Sequence, residues 1–215
     1  MNCCTTPGTN KFFSQNARKY EKRFERRGLD TPSRMIADAL TAEGIKEKTI
    51  LDIGCGMGGL HLTLLQRGAR SCQGIEIAEG MLNAARNLAG HLGFADRVTY
   101  GQGDFVEVNG TVNPADVVIL DKVVCCYPEF QVLITTSTNK AKTYYAVSYP
   151  RNALIPRISF TCMAWMGQRL NWSFHPYYHN PDAVAAAIMQ EGFRVVFAGA
   201  TILWSVMVFQ RVRRV

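Results

Sequence analysis

Leu51-Asp52-Ile53-Gly54-Cys55-Gly56-Met57-Gly58-Gly59 sets a carboxylate two residues ahead of a glycine-rich turn. Gly54 and Gly56 let the backbone turn tightly and approach a ligand with no Cβ in the way. About 20 residues on, Glu76 ends a second apolar run, where an acid can bind both hydroxyls of a ribose. Gly103-Asp104-Phe105 follows a third run. An aspartate there can accept a hydrogen bond from an adenine amino group, and Phe105 can cover the ring. Alone, Gly-Asp-Phe is an ordinary turn, and its weight comes from its point in the strand order.

Gly54, Gly56 and Gly59 also satisfy the GxGxxG spacing of a nicotinamide-dependent dehydrogenase. Charge decides between the two. A dinucleotide lays its pyrophosphate on this loop at a helix N-terminus, and Asp52 would set a carboxylate beside that anion. S-adenosylmethionine brings an ammonium and a sulfonium instead, which a carboxylate favours.

The surrounding pattern supplies the elements that must carry these residues. Residues 12–28 are helix-compatible and basic, with Phe13, Tyr20 and Phe24 as aromatic anchors, and Thr31-Pro32 reads as an N-cap opening a helix that continues over 34–43. Strands are expected at 49–53, 71–77, 97–101, 115–120 and 143–149, with helices at 60–66, 79–91, 130–136 and 181–191 between and after them. Two β-runs, 193–198 and 202–211, joined by a short glycine-containing link, signal a closing hairpin. Alternating strands and helices imply one α/β domain over 1–215, a doubly wound parallel sheet with helices on both faces.

On these motifs the stretch from Thr49 to the C-terminus resembles the class I S-adenosylmethionine-dependent methyltransferases. The resemblance implies a Rossmann-like sheet of seven strands with one antiparallel strand from the hairpin. It implies that Asp52, Gly54, Cys55 and Gly56 hold the methionine part of S-adenosylmethionine. Glu76 would bind the ribose, Ile77 and Met81 would pack beside the cofactor, Asp104 with Phe105 would hold the adenine, and Asp121 would sit near the methyl-bearing end. S-adenosylhomocysteine would be the product. Residues 1–44 would form a helical lid and 150–180 an acceptor-side insertion. The glycine loop and Tyr127-Pro128 also resemble those of magnesium-porphyrin methyltransferases, a hint about acceptor size.

Methyl transfer from a sulfonium needs positioning more than a strong base. If a base takes part, His175, Tyr127 and Asp121 are the candidates in that order, and Tyr20 is a candidate to close over the site. No metal site is expected. Asp121-Lys122-Val123-Val124-Cys125-Cys126-Tyr127-Pro128 lacks the Asn/Asp-Pro-Pro-aromatic run of enzymes that methylate exocyclic amines of bases. The aromatic and Met-rich stretch 154–174 suits a planar or apolar small molecule as acceptor. The alternatives are an RNA or protein methyltransferase working through the basic N-terminal helix, a dehydrogenase, or a non-catalytic cofactor-binding module.

Charge and cysteines narrow the setting. A net charge of +7 gathers at Lys11, Arg18, Lys19, Lys22, Arg23, Arg26 and Arg27, and again at Arg211, Arg213 and Arg214. A solvated basic helix face accounts for this more simply than a nucleic-acid site. The seven cysteines include the adjacent pairs Cys3-Cys4 and Cys125-Cys126 rather than CxxC spacings. The first residues show no secretory pattern and no apolar run is long enough to span a bilayer, so a cytoplasmic enzyme with reduced thiols is expected.

Overall fold

Four consecutive buried residues, Ile50 to Ile53, make β1 (Thr49–Ile53) a strand covered on both faces, as a central parallel strand must be. In a computed structural model of the chain, which describes residues 7–169 and 176–212, β1 lies inside a seven-stranded sheet of order β3-β2-β1-β4-β5-β7-β6. The other strands are β2 (Ser71–Glu76), β3 (Val98–Gln102), β4 (Ala115–Asp121), β5 (Ala141–Pro150), β6 (Phe193–Ala200) and β7 (Trp204–Arg211). β7 runs antiparallel to β5 and to β6, and the remaining pairings are parallel. The sheet is therefore the expected seven-stranded one with a single reversed strand.

Alternation along β4 feeds two cores. Val117 and Ile119 face one layer with Ile36, Leu40 and Leu62, while Val118 and Leu120 face the other with Phe130, Leu133 and Ile188. The first layer comes from α2 (Thr31–Ala42), α3 (Gly59–Gln66) and α4 (Glu79–His91), and the second from α5 (Phe105–Val108), α6 (Phe130–Thr138) and α8 (Pro181–Gln190). The chain leaves β1 toward β2 on one side and reaches β4 on the other. Such a reversal of strand order opens a crevice at the carboxyl ends of the strands.

Three helix starts differ from the sequence reading, α3 by the single residue Gly59. The first helix, α1, covers Pro7–Arg27, beginning five residues early because a proline is pre-set for the first helical position. The N-cap of α2 is Asp30, not Thr31, and its carboxylate accepts the Ser33 amide at 3.2 Å. α4 has Ala78 at its N-cap and no side-chain cap of its own. Instead α1 caps it from outside: Asn10 Oδ1 accepts the Glu79 amide at 3.2 Å and Ser14 Oγ accepts the Gly80 amide at 2.9 Å. A Cβ on Gly80 would lie 2.7 Å from Ser14 Cα, so the close approach depends on that glycine. The remaining helix, α7 (Leu154–Arg169), follows β5 and leans Phe160 edge-on against Trp204, with ring centroids 5.8 Å apart. Among the described residues no helix is long and apolar enough to cross a membrane.

Candidate active site

Four strands that are neighbours in the sheet each deliver a carboxylate to the crevice. In the order β3-β2-β1-β4 these are Asp104, just past its strand, then Glu76, Asp52 and Asp121. All four line one cavity of about 290 Å³. Gly54, Cys55 and Gly56 line it too, as do Ile77, Met81, Phe105, Tyr20 and Tyr127. The structure thus brings together every sequence-selected site residue except His175, which lies outside the described residues.

The glycine turn is fixed to β2, with the amides of Gly54 and Cys55 both reaching the Ile75 carbonyl, at 2.8 and 3.1 Å. Gly54 has φ +65 and Gly56 φ +54, a left-handed region that disfavours side chains. A Cβ on Gly54 would meet Val123 at 2.5 Å, whereas one on Gly56 would meet nothing within 4 Å. Gly56 therefore borders open space. Glu76 steadies the turn from below, accepting the Gly56 amide at 2.8 Å on one oxygen and the Ala78 amide at 2.9 Å on the other. Burial raises the Glu76 carboxyl above its ordinary range, although those amides pull it down.

Asp52 is 2% exposed, and its Oδ2 lies 2.8 Å from Nδ1 of the fully buried His61 on α3. Nε2 of His61 is 3.0 Å from the Tyr100 hydroxyl, itself 3.3 Å from the Ala85 carbonyl. Burial pushes the Asp52 carboxyl up against the opposing pull of His61, and Asp121 adds to the rise. His61 was not among the residues picked from sequence. Its signal was a polar side chain inside the apolar run Leu60 to Leu65.

Asp104 is 4% exposed and divides its two oxygens. Oδ1 accepts the Val106 amide at 2.8 Å and the Tyr127 phenol at 2.5 Å. Oδ2 is buried with no hydrogen-bond partner among the described residues. An unpartnered buried carboxylate oxygen is a costly group to keep, and here it belongs to a cavity residue. Tyr127 thus stands against Asp104 with its proton committed there.

At the β4 end both oxygens of Asp121 are engaged. Ser148 Oγ donates to Oδ1 at 2.5 Å, and Ser33 Oγ donates to Oδ2. Lys122 holds φ +63, unusual for a side-chain-bearing residue, with its amide bonded to Ser148 at both carbonyl and hydroxyl. Its ammonium reaches Asp30 at 2.9 and 3.0 Å, Ser33 at 3.1 Å and Asp121 at 3.4 Å. Burial alone would raise the Asp30 carboxyl, but Lys122 and Ser33 outweigh it and hold it below its ordinary value. Burial raises the Tyr20 phenol, against the pull of nearby Lys122. Arg23, also on α1, stands 3.8 Å from Asp30. Sequence reasoning passed over Asp30 and Ser33 and named Lys122 only within the run after β4, because Lys122 and Asp30 lie 92 residues apart in the chain.

α1 roofs the cavity with Phe13, Tyr20 and Phe24. None of the described α7 side chains lines it, and Leu154, Ile158 and Trp165 are exposed. α7 reaches the site indirectly, since Trp204, which packs on Phe160, has its ring 5.9 Å from Lys122 Nζ.

The family described as methyltransferase domain matches residues 45–197. Ribosomal protein L11 methyltransferase of Pasteurella multocida (strain Pm70) is 35% identical over 71 residues, 33% of this chain and 24% of that protein. Probable chloroplastic tocopherol O-methyltransferase of Oryza sativa subsp. japonica is 30% identical over 80 residues, 34% of this chain and 22% of that protein. The match therefore spans about a quarter of the length of these relatives. Among solved structures, magnesium protoporphyrin IX methyltransferase from Synechocystis PCC 6803 with bound SAH shares the fold with a TM-score of 0.72 at 20% identity, over 95% of this chain and 98% of that one.

Proposed function

This chain belongs to the methyltransferase-domain family, and we propose that it moves the methyl group of S-adenosylmethionine to a small, largely apolar acceptor. The observation that carries the reading is the buried, unpartnered Oδ2 of Asp104 in the cavity that holds three more carboxylates. An adenine amino group is the donor that this oxygen lacks. The residues fit the cofactor at its other points as well. Asp52 offers a carboxylate to the ammonium, and Gly56 leaves the space that a side chain would fill. Glu76 takes the Gly56 amide on one oxygen and the Ala78 amide on the other, and its carboxylate has further lone pairs for ribose hydroxyls. Ile77, Met81 and Phe105 supply apolar walls.

The cofactor supplies a methyl group already activated on a sulfonium sulfur. The chain's part is then to orient and to exclude water. Asp121, locked by Ser33, Ser148 and Lys122, forms a fixed polar wall at the acceptor end rather than a mobile base. Tyr20 and Phe24 close the roof, and the phenol of Tyr20 faces the Lys122 side. His175 keeps its place as the candidate general base.

A small acceptor is favoured because the roof helix is fastened down through Asn10 and Ser14, and an RNA or protein segment would have to lift it. The relatives include a ribosomal protein methyltransferase and a probable tocopherol O-methyltransferase, so they support the class and not the acceptor. The test is S-adenosylmethionine with a labelled methyl group, incubated with purified protein and an undialysed cell extract. Label in organic-extractable material is expected. Label in nuclease- or protease-sensitive material would overturn the small-molecule reading and shift attention to the exposed basic face of α1.

A further inference from the structure

Asp52, His61 and Tyr100 form a chain of hydrogen bonds for which methyl transfer as described has no use. The Tyr100 hydroxyl has a single hydrogen and two acceptors within reach, the Ala85 carbonyl and His61 Nε2. If Ala85 takes it, the phenol oxygen must accept an Nε2–H. Because a proton also lies between Nδ1 and Asp52, the pair then carries no net charge. If His61 takes it, the ring is neutral, its one hydrogen points at Asp52, and the pair carries a full negative charge. The two states differ by the Nε2 proton and a turn of one hydroxyl.

Burial chooses between them. His61 is fully buried and Asp52 nearly so, and an isolated negative charge in such a place is strongly disfavoured. Asp121 on β4 acts on Asp52 in the same direction, and Asp52 in turn raises Glu76 on β2. The thiols of Cys55 on the turn and Cys72 on β2 stay neutral, since burial pushes both well up. Arg86 on α4 acts on the Tyr100 phenol. While the cavity holds no cation, burial therefore favours the neutral state of the pair. A bound ammonium reverses the balance, and the anionic state becomes the better partner.

We propose that His61 is a positioning residue for the methyl donor, and that the Asp52–His61 pair sheds a proton as the donor's cationic group binds. The proposal rests on the reading of this cavity as the donor site. On binding, the Nε2–H proton passes to solvent, the Tyr100 hydrogen swings from Ala85 to Nε2, and His61 keeps Nδ1–H on Asp52. The carboxylate is thereby held in one orientation in both states.

Calorimetry of S-adenosylhomocysteine binding tests this, from about pH 5.5 to about pH 7, below the range near 7.7–8 where an α-amine titrates. Comparison of two buffers with different ionisation enthalpies should show net proton release by the wild type. Its affinity should strengthen by up to about tenfold per pH unit. His61→Asn keeps an N–H for Asp52 but cannot store the Nε2 proton, so only the Asp52 carboxyl is left to titrate and the sloping region should fall below that of the wild type. Tyr100→Phe removes the oxygen that accepts Nε2–H and should move the sloping region to lower pH, which keeps the test open if His61→Asn folds poorly. Wild-type slope in a folded His61→Asn, or no proton release by the wild type, would overturn the proposal. No binding at any pH would overturn the donor-site reading as well.

Discussion

Asp104→Asn asks the Asp104 oxygen directly what it is for. An asparagine can leave its carbonyl at the Oδ1 position, where it still accepts the Val106 amide and the Tyr127 phenol at 2.8 and 2.5 Å. Its NH2 then occupies the place of Oδ2, which has no partner. In the ligand-free protein the change removes a buried charge but adds an unsatisfied donor. The two effects oppose each other, so stability should move by no more than about 1 kcal/mol. Binding is different. The wild-type oxygen gains a charge-assisted bond from the adenine amino group, about 1.5–3 kcal/mol, whereas the variant opposes donor to donor and leaves both unmet, about 1–3 kcal/mol more. A loss of about 3–4 kcal/mol, or roughly 100- to 1,000-fold in Kd for S-adenosylhomocysteine, is expected by calorimetry. S-inosylhomocysteine, with a carbonyl in place of the amino group, supplies the reverse test. It should bind the variant more tightly than it binds the wild type. A folded Asp104→Asn that binds S-adenosylhomocysteine within about threefold of wild type would refute the placement of adenine at Asp104, since so small a change is less than one neutral hydrogen bond.

Lys122→Met removes the ammonium that joins Asp30, Ser33 and Asp121, leaving Asp30 only the more distant Arg23; a loss of about 1–3 kcal/mol in urea unfolding is expected. Gly80→Val drives a side chain into Ser14 at 2.7 Å; hydrogen exchange in α1 should rise while the sheet stays protected, at a cost of about 1–3 kcal/mol. The pH dependence of stability should carry two opposite contributions. Glu76 titrates above its ordinary value of 4.5 when folded, so its contribution is present at low pH and is lost as pH rises through the folded value; Glu76→Gln should remove it from urea midpoints. Asp30 titrates below its ordinary 3.8, so its contribution stands at neutral pH and is lost as pH falls through the folded value; Asp30→Asn should remove that acid limb.

The carboxylates at the strand ends were legible because each follows a short apolar run, so local pattern and strand order together say which edge of the sheet they reach. Asp52, Glu76 and Asp104 needed no knowledge of tertiary contacts. What pattern could not supply was the company each acid keeps. Lys122 and Asp30 are 92 residues apart, and nothing in either segment announces the other. The N-cap was displaced by one residue because Asp30 and Thr31 both suit the role, and the contact with Lys122 favours Asp30. The capping of α4 by α1 was invisible for the same reason: Asn10 and Ser14 read as ordinary residues of a polar helix until α4 is packed beside them.

That hidden company separates the four acids by purpose. Asp121 is held by two hydroxyls and an ammonium, and it is a structural joint between α2, β4 and β5. Asp104, Glu76 and Asp52 are buried with fewer partners than their oxygens can take, and burial raises two of them. A sheet selected for stability alone would not end three adjacent strands on such groups. On the proposed reading one ligand returns their cost, with an amino group for Asp104, a pair of hydroxyls for Glu76 and an ammonium for Asp52. The ordering makes a further demand. Because Asp52 is the member with a proton-storing neighbour, the end of the ligand that carries the cation should be the end whose binding responds to pH. A donor fragment lacking the ammonium, such as 5′-methylthioadenosine, should bind with no proton release, and release equal to that of S-adenosylhomocysteine would move the titrating group to the ribose or adenine end.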